Sequence, residues 1–240
     1  MVESYSKFAK YYDSLMSDPK DKVALINGWI KKYNSKATSV LEIACGTGAI
    51  LKLMEKQYAV SGLDLSKEML SIAKKKIKKG NLYHQDMTSF SLNKKFDVVL
   101  CIFDSINHLP KFSDWNNVFK NSYKHLKKEG IFIFDVNTIK KFNRFGKAKN
   151  VFLNPMGKNF VIEKASVISK NKLEFSQILL ENQKGNNYKL FEEKVIEVAF
   201  EKDKIINALE KYFKVLLVFD PKRKSPSKNS ERLYFVCKLR

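Results

Sequence analysis

Arginine is almost missing from this 240-residue chain. Of its 45 basic side chains only Arg144, Arg223, Arg232 and Arg240 carry a guanidinium; the rest are lysine. Against 25 acidic residues this leaves a formal net charge of +20, which invites a nucleic-acid reading through counterion release. Bidentate recognition of phosphate or guanine favours the planar arginine fork, however, and the shortage of arginine disfavours that reading. Cysteine is also scarce. Cys45, Cys101 and Cys237 are odd in number and widely spaced, which supports neither a disulfide framework nor a thiolate zinc site. With 9 glycines and 5 prolines the chain is neither collagenous nor linker-like. It has no apolar run of the ~18 residues that a membrane span needs. The opening MVESYSKFAK lacks the apolar stretch of a signal peptide, so a cytoplasmic protein is expected.

What is present is an alternating pattern. Residues 5–16 and 20–33 read as an N-terminal helical cap within residues 1–36, the second helix carrying Val23, Ile26, Ile30 and Tyr33 at helical spacing. Apolar strand-like runs follow at 39–44, 58–64, 81–85, 96–103 and 130–136. Between them lie helical stretches, one begun by the cap Ser66 and ended at Gly80, another from Ser113 with Trp115, Val118, Phe119 and Leu126 facing inward. Such alternation predicts an α/β fold with a doubly wound, Rossmann-like sheet. Three β-rich runs at 159–168, 172–181 and 187–200 suggest an antiparallel insertion over 146–199. A helix near 205–213 and strands at 213–220 and 232–239 complete a single domain of seven sheet strands plus that insertion.

Chemistry concentrates in the first strand-loop-helix, VLEIACGTG. Small residues at Ala44, Gly46 and Gly48 let a ligand approach backbone N–H groups at the next helix. Asp64, ending the second strand, is placed to accept both hydroxyls of a ribose. A dinucleotide site needs a third glycine where this chain has Leu51, and Glu42 opposes a pyrophosphate while suiting an amino or sulfonium group.

These residues, followed in order by GLDLS with Met69, HQDM (84–87), FDVVLCIFDSINHL (96–109) and LKKEGIFIFDVN (126–137), resemble the ordered motifs of class I S-adenosylmethionine-dependent methyltransferases. FAKYYD and SINHL further resemble a bacterial small-molecule subgroup that includes amino-sugar N-methyltransferases and glycine N-methyltransferase-like proteins. The resemblance implies S-adenosylmethionine as cofactor, with Ala44, Cys45, Gly46 and Gly48 along its methionine part and Asp64 on the ribose. It implies Leu65 and Met69 around the adenine, and Asp86 on the adenine amino group with Gln85 and Met87 beside it. Cys101, Ile102 and Phe103 would form the floor under the sulfonium, and Tyr12 would close over it. The insertion lies where relatives build a lid over the acceptor.

His108 is the candidate base for an amine acceptor, since an ordinary pKa near 6.5 suits proton removal near neutrality. It is equally readable as a structural histidine, and Tyr12 as core packing. Asp104 and Asn107 are secondary pocket candidates, whereas His84 and His125 read as surface or structural residues. Lys74, Lys75, Lys76, Lys78 and Lys79 read as a solvated helix face. Lys222, Arg223, Lys224 and Lys228 form a basic loop that could border the pocket and attract an anion. The leading expectation is methyl transfer to a small-molecule acceptor, nitrogen foremost, by a monomer or homodimer. An RNA methyltransferase and a cofactor-binding module without turnover are the alternatives.

Overall fold

The structure is a computed structural model that describes residues 8–147 and 151–240. The expected helix at 5–16 begins outside the described residues, as do residues 148–150 of the expected insertion. The chain opens with helices α1 (Ala9–Leu15) and α2 (Lys20–Tyr33), then alternates β1 (Ser39–Ile43), α3 (Ala49–Met54), β2 (Ala59–Asp64), α4 (Lys67–Lys76), β3 (Gly80–His84) and β4 (Phe96–Cys101). A 3-10 turn at Ser105–His108, α5 (Phe112–Lys124), β5 (Leu126–Asn137) and α6 (Ile139–Lys147) follow. Four long strands come next, β6 (Val151–Met156), β7 (Asn159–Ser169), β8 (Lys172–Lys184) and β9 (Asn187–Val198). The chain closes with α7 (Lys202–Leu209), β10 (Phe213–Phe219) and β11 (Arg232–Leu239).

Seven strands make one sheet in the order β10-β11-β5-β4-β1-β2-β3. β3, β2, β1, β4 and β5 run parallel, and β11 pairs antiparallel with β5 and β10. Every residue of β1 is buried because both faces of the sheet are covered, which is why the strand reads as an unbroken apolar run with only Glu42 inside it. On one face Leu41, Val99, Phe132 and Phe134 meet Trp115, Val118 and Phe119 of α5 and Ile205 and Leu209 of α7. On the other, Val40, Val98, Leu100 and Ile133 meet Ile26, Trp29 and Ile30 of α2 and Leu51 and Met54 of α3. Phe134 stacks between Phe132 and Phe235 at centroid separations of 4.9 and 4.8 Å. Truncating a buried ring of this kind costs about 3–5 kcal/mol. Among the described residues no helix is long and apolar enough to cross a membrane.

Several boundaries differ from the sequence reading, each for a local reason. The expected end of the fourth helix at Gly80 is corrected: α4 stops at Lys76, Ile77 turns to extended backbone (φ −85°, ψ 118°), and Gly80 opens β3 opposite Val60. Ile77 is drawn out of the helix to pack against Ala73 and Val60 in the core. β5 begins four residues early, at Leu126 opposite Phe96, then breaks register before Ile131, with Glu129 left-handed at φ 65°. Leu126 is buried in this strand and not on α5. The second sheet, β6-β7-β8-β9, has four strands where three β-rich runs were legible. The missed edge strand contains Pro155, tolerated at an edge because one neighbour is lacking.

At the strand ends away from the cavity described below, Asp97 ties β1 to β4. Its Oδ2 accepts from the backbone N–H of Thr38 and Ser39 (3.1 and 3.0 Å), the Ser39 hydroxyl (2.6 Å) and Lys127 Nζ (3.0 Å). Partial burial opposes the charge, but the Ser39 hydroxyl, Lys127 and the Thr38 amide outweigh it and hold the carboxyl at about 2. A carboxyl depressed in the folded state contributes stability above its unfolded pKa near 3.9 that is lost as pH falls towards 2. Asp97→Ala should therefore cost about 1.5–3 kcal/mol in urea unfolding at pH 7, and clearly less at pH 2.5. An equal loss at both pH values would contradict the assignment.

Candidate functional site

The parallel strands deliver three loops to one edge of the sheet, where β1 lies between β2 and β4 and the strand order changes direction. The loop after β1 turns back through three left-handed residues, Ala44 (φ 55°), Gly46 (φ 53°) and Gly48 (φ 73°). At Gly48 a Cβ would also stand 2.7 Å from Ile77 Cδ1, so only glycine fits this entry to α3. The loop after β2 is fixed by Asp64, whose Oδ2 accepts from Gly46 N–H (2.7 Å) and Oδ1 from Ser66 N–H (2.9 Å). Ser66 in turn caps α4 by accepting from Met69 N–H at 3.2 Å. Each carboxylate oxygen of Asp64 has further acceptor capacity, so its bridging role leaves it able to bind a ligand hydroxyl. Burial raises the Asp64 pKa, with the Ser66 and Gly46 amides opposing the shift.

These loops line a cavity that opens to solvent. It brings together Tyr12, Ala44, Gly46, Asp64, Leu65, Met69, Gln85, Met87, Phe103 and His108 of the expected residues, joined by Leu63, Ser66 and Ser105. Cys45, Gly48, Asp86, Cys101 and Ile102 are not on its wall. Cys45 and Cys101 are buried behind it, where burial pushes both thiols up and leaves them protonated. Asp86 Oδ1 accepts from Thr88 N–H (2.7 Å) and the Thr88 hydroxyl (2.8 Å), which fixes the turn that follows Gln85. Gln85 is itself held by Ser91 N–H donating to its Oε1 at 3.0 Å.

Tyr12 reaches the cavity on α1, a helix pinned at both ends. Asp13 accepts from the Thr47 hydroxyl at 2.6 Å and pairs with Lys76 of α4. Lys76 therefore departs from the solvated-face reading of its lysine run. On the other side Phe8 packs against Val161 and Leu179 of the second sheet, and the Tyr11 hydroxyl donates to Glu181 at 2.5 Å. The Tyr12 phenol is held protonated by burial and by the negative charges of Asp104, Asp64 and Glu42. Glu42 lies fully buried on β1 with Oε2 lacking any protein donor among the described residues. Burial and then Asp64 push its carboxyl well above the ordinary range.

The wall contributed by β4 is unusual in its backbone. Phe103 (φ 62°) and Asp104 (φ 50°) are consecutive non-glycine residues in the left-handed region. Each such residue costs on the order of 1–3 kcal/mol and persists only where neighbours over-determine it. Here Asp104 Oδ1 pairs with Arg232 Nη2, Asp104 Oδ2 accepts from Asn137 Nδ2 at 2.6 Å, and Arg232 also pairs with the fully buried Asp135. Asn137 is the hub: its Oδ1 accepts from Arg232 (3.1 Å) and Lys141 (2.8 Å), and its Nδ2 donates to Glu197 as well (2.8 Å). Asn107 closes the set, donating from Nδ2 to the carbonyls of Asn137 (3.0 Å) and Val198 (2.9 Å). Burial opposes ionisation of Asp104, yet Arg232 and Lys141 win and hold it at about 2; burial dominates at Asp135 and raises it. His108, at the end of the turn, is half-buried, and desolvation lowers its pKa, with Asp104 and a hydrogen bond to the Ile196 backbone opposing the shift.

Sequence reasoning did not find this network, because Arg232, Asn137 and Glu197 meet only through the pairing of β11 with β5 and the approach of β9. The one available signal was arginine in a lysine-dominated chain. The basic C-terminal loop does not border this cavity: Arg223 pairs with Asp220 (3.3 Å), Lys222 with Glu231 (3.2 Å), and Lys228 lines a separate hollow beside Lys140 and Lys202. His84 and His125 are anchored to backbone, at Leu65 O (2.7 Å) and Leu92 N–H (2.8 Å) respectively.

Glu197 is raised to about 8 by burial and by Asp104. An acid raised on folding contributes stability that is complete below its unfolded pKa near 4.3 and lost as pH rises through 8. Thermal melts should show stability falling between pH 6 and 9 in the natural chain, with a flatter profile in Glu197→Gln. Identical slopes would contradict the account.

A methyltransferase-domain family matches residues 40–130. A putative methyltransferase of Bacillus subtilis (strain 168) is 39% identical over 56% of this chain and 56% of its own length. A dTDP-3-amino-3,6-dideoxy-alpha-D-glucopyranose N,N-dimethyltransferase of Streptomyces fradiae is 34% identical over 44% of this chain and 42% of its own. The chain thus matches about half the length of these two relatives. The crystal structure of an S-adenosylmethionine-dependent methyltransferase from Clostridium acetobutylicum ATCC 824 superposes with TM-score 0.86 and 29% identity over 98% of both chains. Residues 40–130 thus match a methyltransferase domain, and the ordered motifs, strand order and cavity make the whole chain similar to class I S-adenosylmethionine-dependent methyltransferases.

Proposed function

We propose that the chain methylates a nitrogen atom of a small molecule, with His108 as the base and the cavity between Tyr12, the 44–48 loop and Asp64 as the cofactor site. The observation that carries this reading is a half-buried histidine, its pKa lowered by desolvation, on the wall of the cavity that Asp64 and the glycine loop define. The likeness of residues in this region to an enzyme named as an amino-sugar N,N-dimethyltransferase supports nitrogen as the acceptor.

The donor set suits the cofactor. Glu42 presents a buried oxygen without a protein donor, and with Asp64 it makes the loop favourable to a cationic amino-acid end and unfavourable to a pyrophosphate. Asp64 would hold the ribose hydroxyls, Leu65 and Met69 the adenine faces, and Gln85 and Met87 the adenine edge. Ala44, Cys45, Gly46 and Gly48 would supply the backbone against the methionine part, and Asp86 would act on the adenine through the turn it fixes.

S-adenosylmethionine supplies, when bound, a methyl group already activated by its sulfonium. The protein has therefore mainly to orient the acceptor and keep its lone pair available. Phe103 would limit the wall beside the transferring methyl, with Cys101 and Ile102 packed behind it as floor. Tyr12, protonated and pinned by Asp13, would cover the cavity and exclude water. His108 would accept the proton that the amine sheds, a role that requires the neutral imidazole, which desolvation favours.

Asp64→Ala should weaken S-adenosylmethionine binding by about 1–3 kcal/mol in calorimetry, and unchanged affinity would contradict the ribose assignment. Screening amine, hydroxy-acid and nucleotide-sugar collections for methyl transfer should identify an amine acceptor. With it, His108→Ala should turn over about 10²–10⁴-fold more slowly while binding the cofactor normally. An undiminished rate would make His108 structural, and transfer to oxygen alone would overturn the nitrogen reading.

A further inference from the structure

We propose that Arg232 is a positioning residue for this site: by pairing with Asp104 it holds the Phe103–Asp104 turn in its left-handed conformation and so presents Phe103 and the following turn to the cavity. The proposal rests on the cofactor-site reading above. Arg232 does not line the cavity; Phe103, Ser105 and His108 do. The two are joined through Asp104, which contacts Arg232 and precedes the turn Ser105–His108.

Three observations favour a positioning role over simple core electrostatics. First, the constrained residues are those next to the cavity, and although Asp visits the left-handed region more readily than most side chains, Phe does not, and two successive positive φ angles need outside support. Second, the local bonds of the turn leave it incomplete. Ser105 Oγ donates to Ile102 O at 2.7 Å and Asn107 N–H to Asp104 O at 2.8 Å, but neither fixes the Asp104 carboxylate. Its two oxygens are taken by Arg232 and Asn137, groups far along the chain on β11 and β5. Third, the guanidinium is used as a fork: one nitrogen reaches Asp104 and Asn137 and the other reaches Asp135, whose own Oδ1 accepts from Asp104 N–H at 3.3 Å. A lysine would keep the charge but lose the rigid planar fork that reaches Asp104 and Asp135 from separate nitrogens. Phe103 is steadied from its other side by Lys22 of α2, whose ammonium lies 4.6 Å from the ring centroid.

A residue acting through Phe103 has a signature that a merely stabilising one lacks. S-adenosylhomocysteine affinity is measured calorimetrically for the natural chain, Arg232→Gln, Arg232→Lys, Phe103→Ala and the double variant Arg232→Gln/Phe103→Ala. Asp97→Ala serves as a control that loosens the fold at the opposite strand ends. Arg232→Gln should lose about tenfold in affinity, Arg232→Lys should recover part of it, and the double variant should bind no more weakly than Phe103→Ala alone. Asp97→Ala should keep full affinity despite its lower stability. Natural affinity in a folded Arg232→Gln would overturn the proposal, as would losses that simply multiply in the double variant. If Arg232→Gln does not fold, Arg232→Lys and Asp104→Asn carry the same comparison, with natural affinity in both overturning it. Failure of the natural chain itself to bind would instead remove the cofactor-site reading.

Discussion

The register of β1 between β2 and β4 is the constraint on which the site depends. Glu42 lies opposite Gly62 on one side and Leu100 on the other, so the three strands finish together and their loops emerge at one edge. A one-residue slip in a buried strand would invert every side chain, and a strand buried on both faces has no tolerance for it. The left-handed turn after β1, the Asp64 bridge after β2 and the strained turn after β4 are therefore three consequences of one alignment.

Electrostatics then select what the crevice can hold. Asp64 puts a carboxyl group on its wall, Glu42 lies buried behind it on β1, and burial pushes both up. That combination repels a pyrophosphate and is relieved by a cationic group. The chain's overall positive charge sits elsewhere, largely on exposed lysines and a C-terminal loop turned to a separate hollow. Beyond β4 the economy is the opposite: Asp104 and Glu197 accept from the Asn137 amide, whose oxygen accepts from Arg232 and Lys141, while Asp104 and Asp135 pair directly with Arg232. Removing one member of such a buried set leaves a charge uncompensated, so the network specifies one geometry more than it adds stability.

Much of this was readable from the sequence where the signal is local. The βα alternation, the Ser66 cap and the VLEIACGTG loop each depend on neighbours within a few residues, and each predicts its element. The signal fails where distant segments decide. Pro155 and its neighbours form an edge strand only because β7 lies beside them. Gly80 looks like a helix end, but the core's demand for Ile77 stops α4 earlier. Asp104 and Asn137 stand in quoted motifs, but Arg232 carries none, and the association of the three exists only in the paired strands. His108 was legible as a candidate base, while the desolvation that lowers its pKa was not.

The most direct test of the central claim is competitive calorimetry of the natural chain with S-adenosylhomocysteine and a nicotinamide dinucleotide. The paired carboxyl groups and the absence of a third loop glycine predict one-to-one binding of the thioether nucleoside and no measurable binding of the dinucleotide. Preferential binding of the dinucleotide would contradict the account at its base.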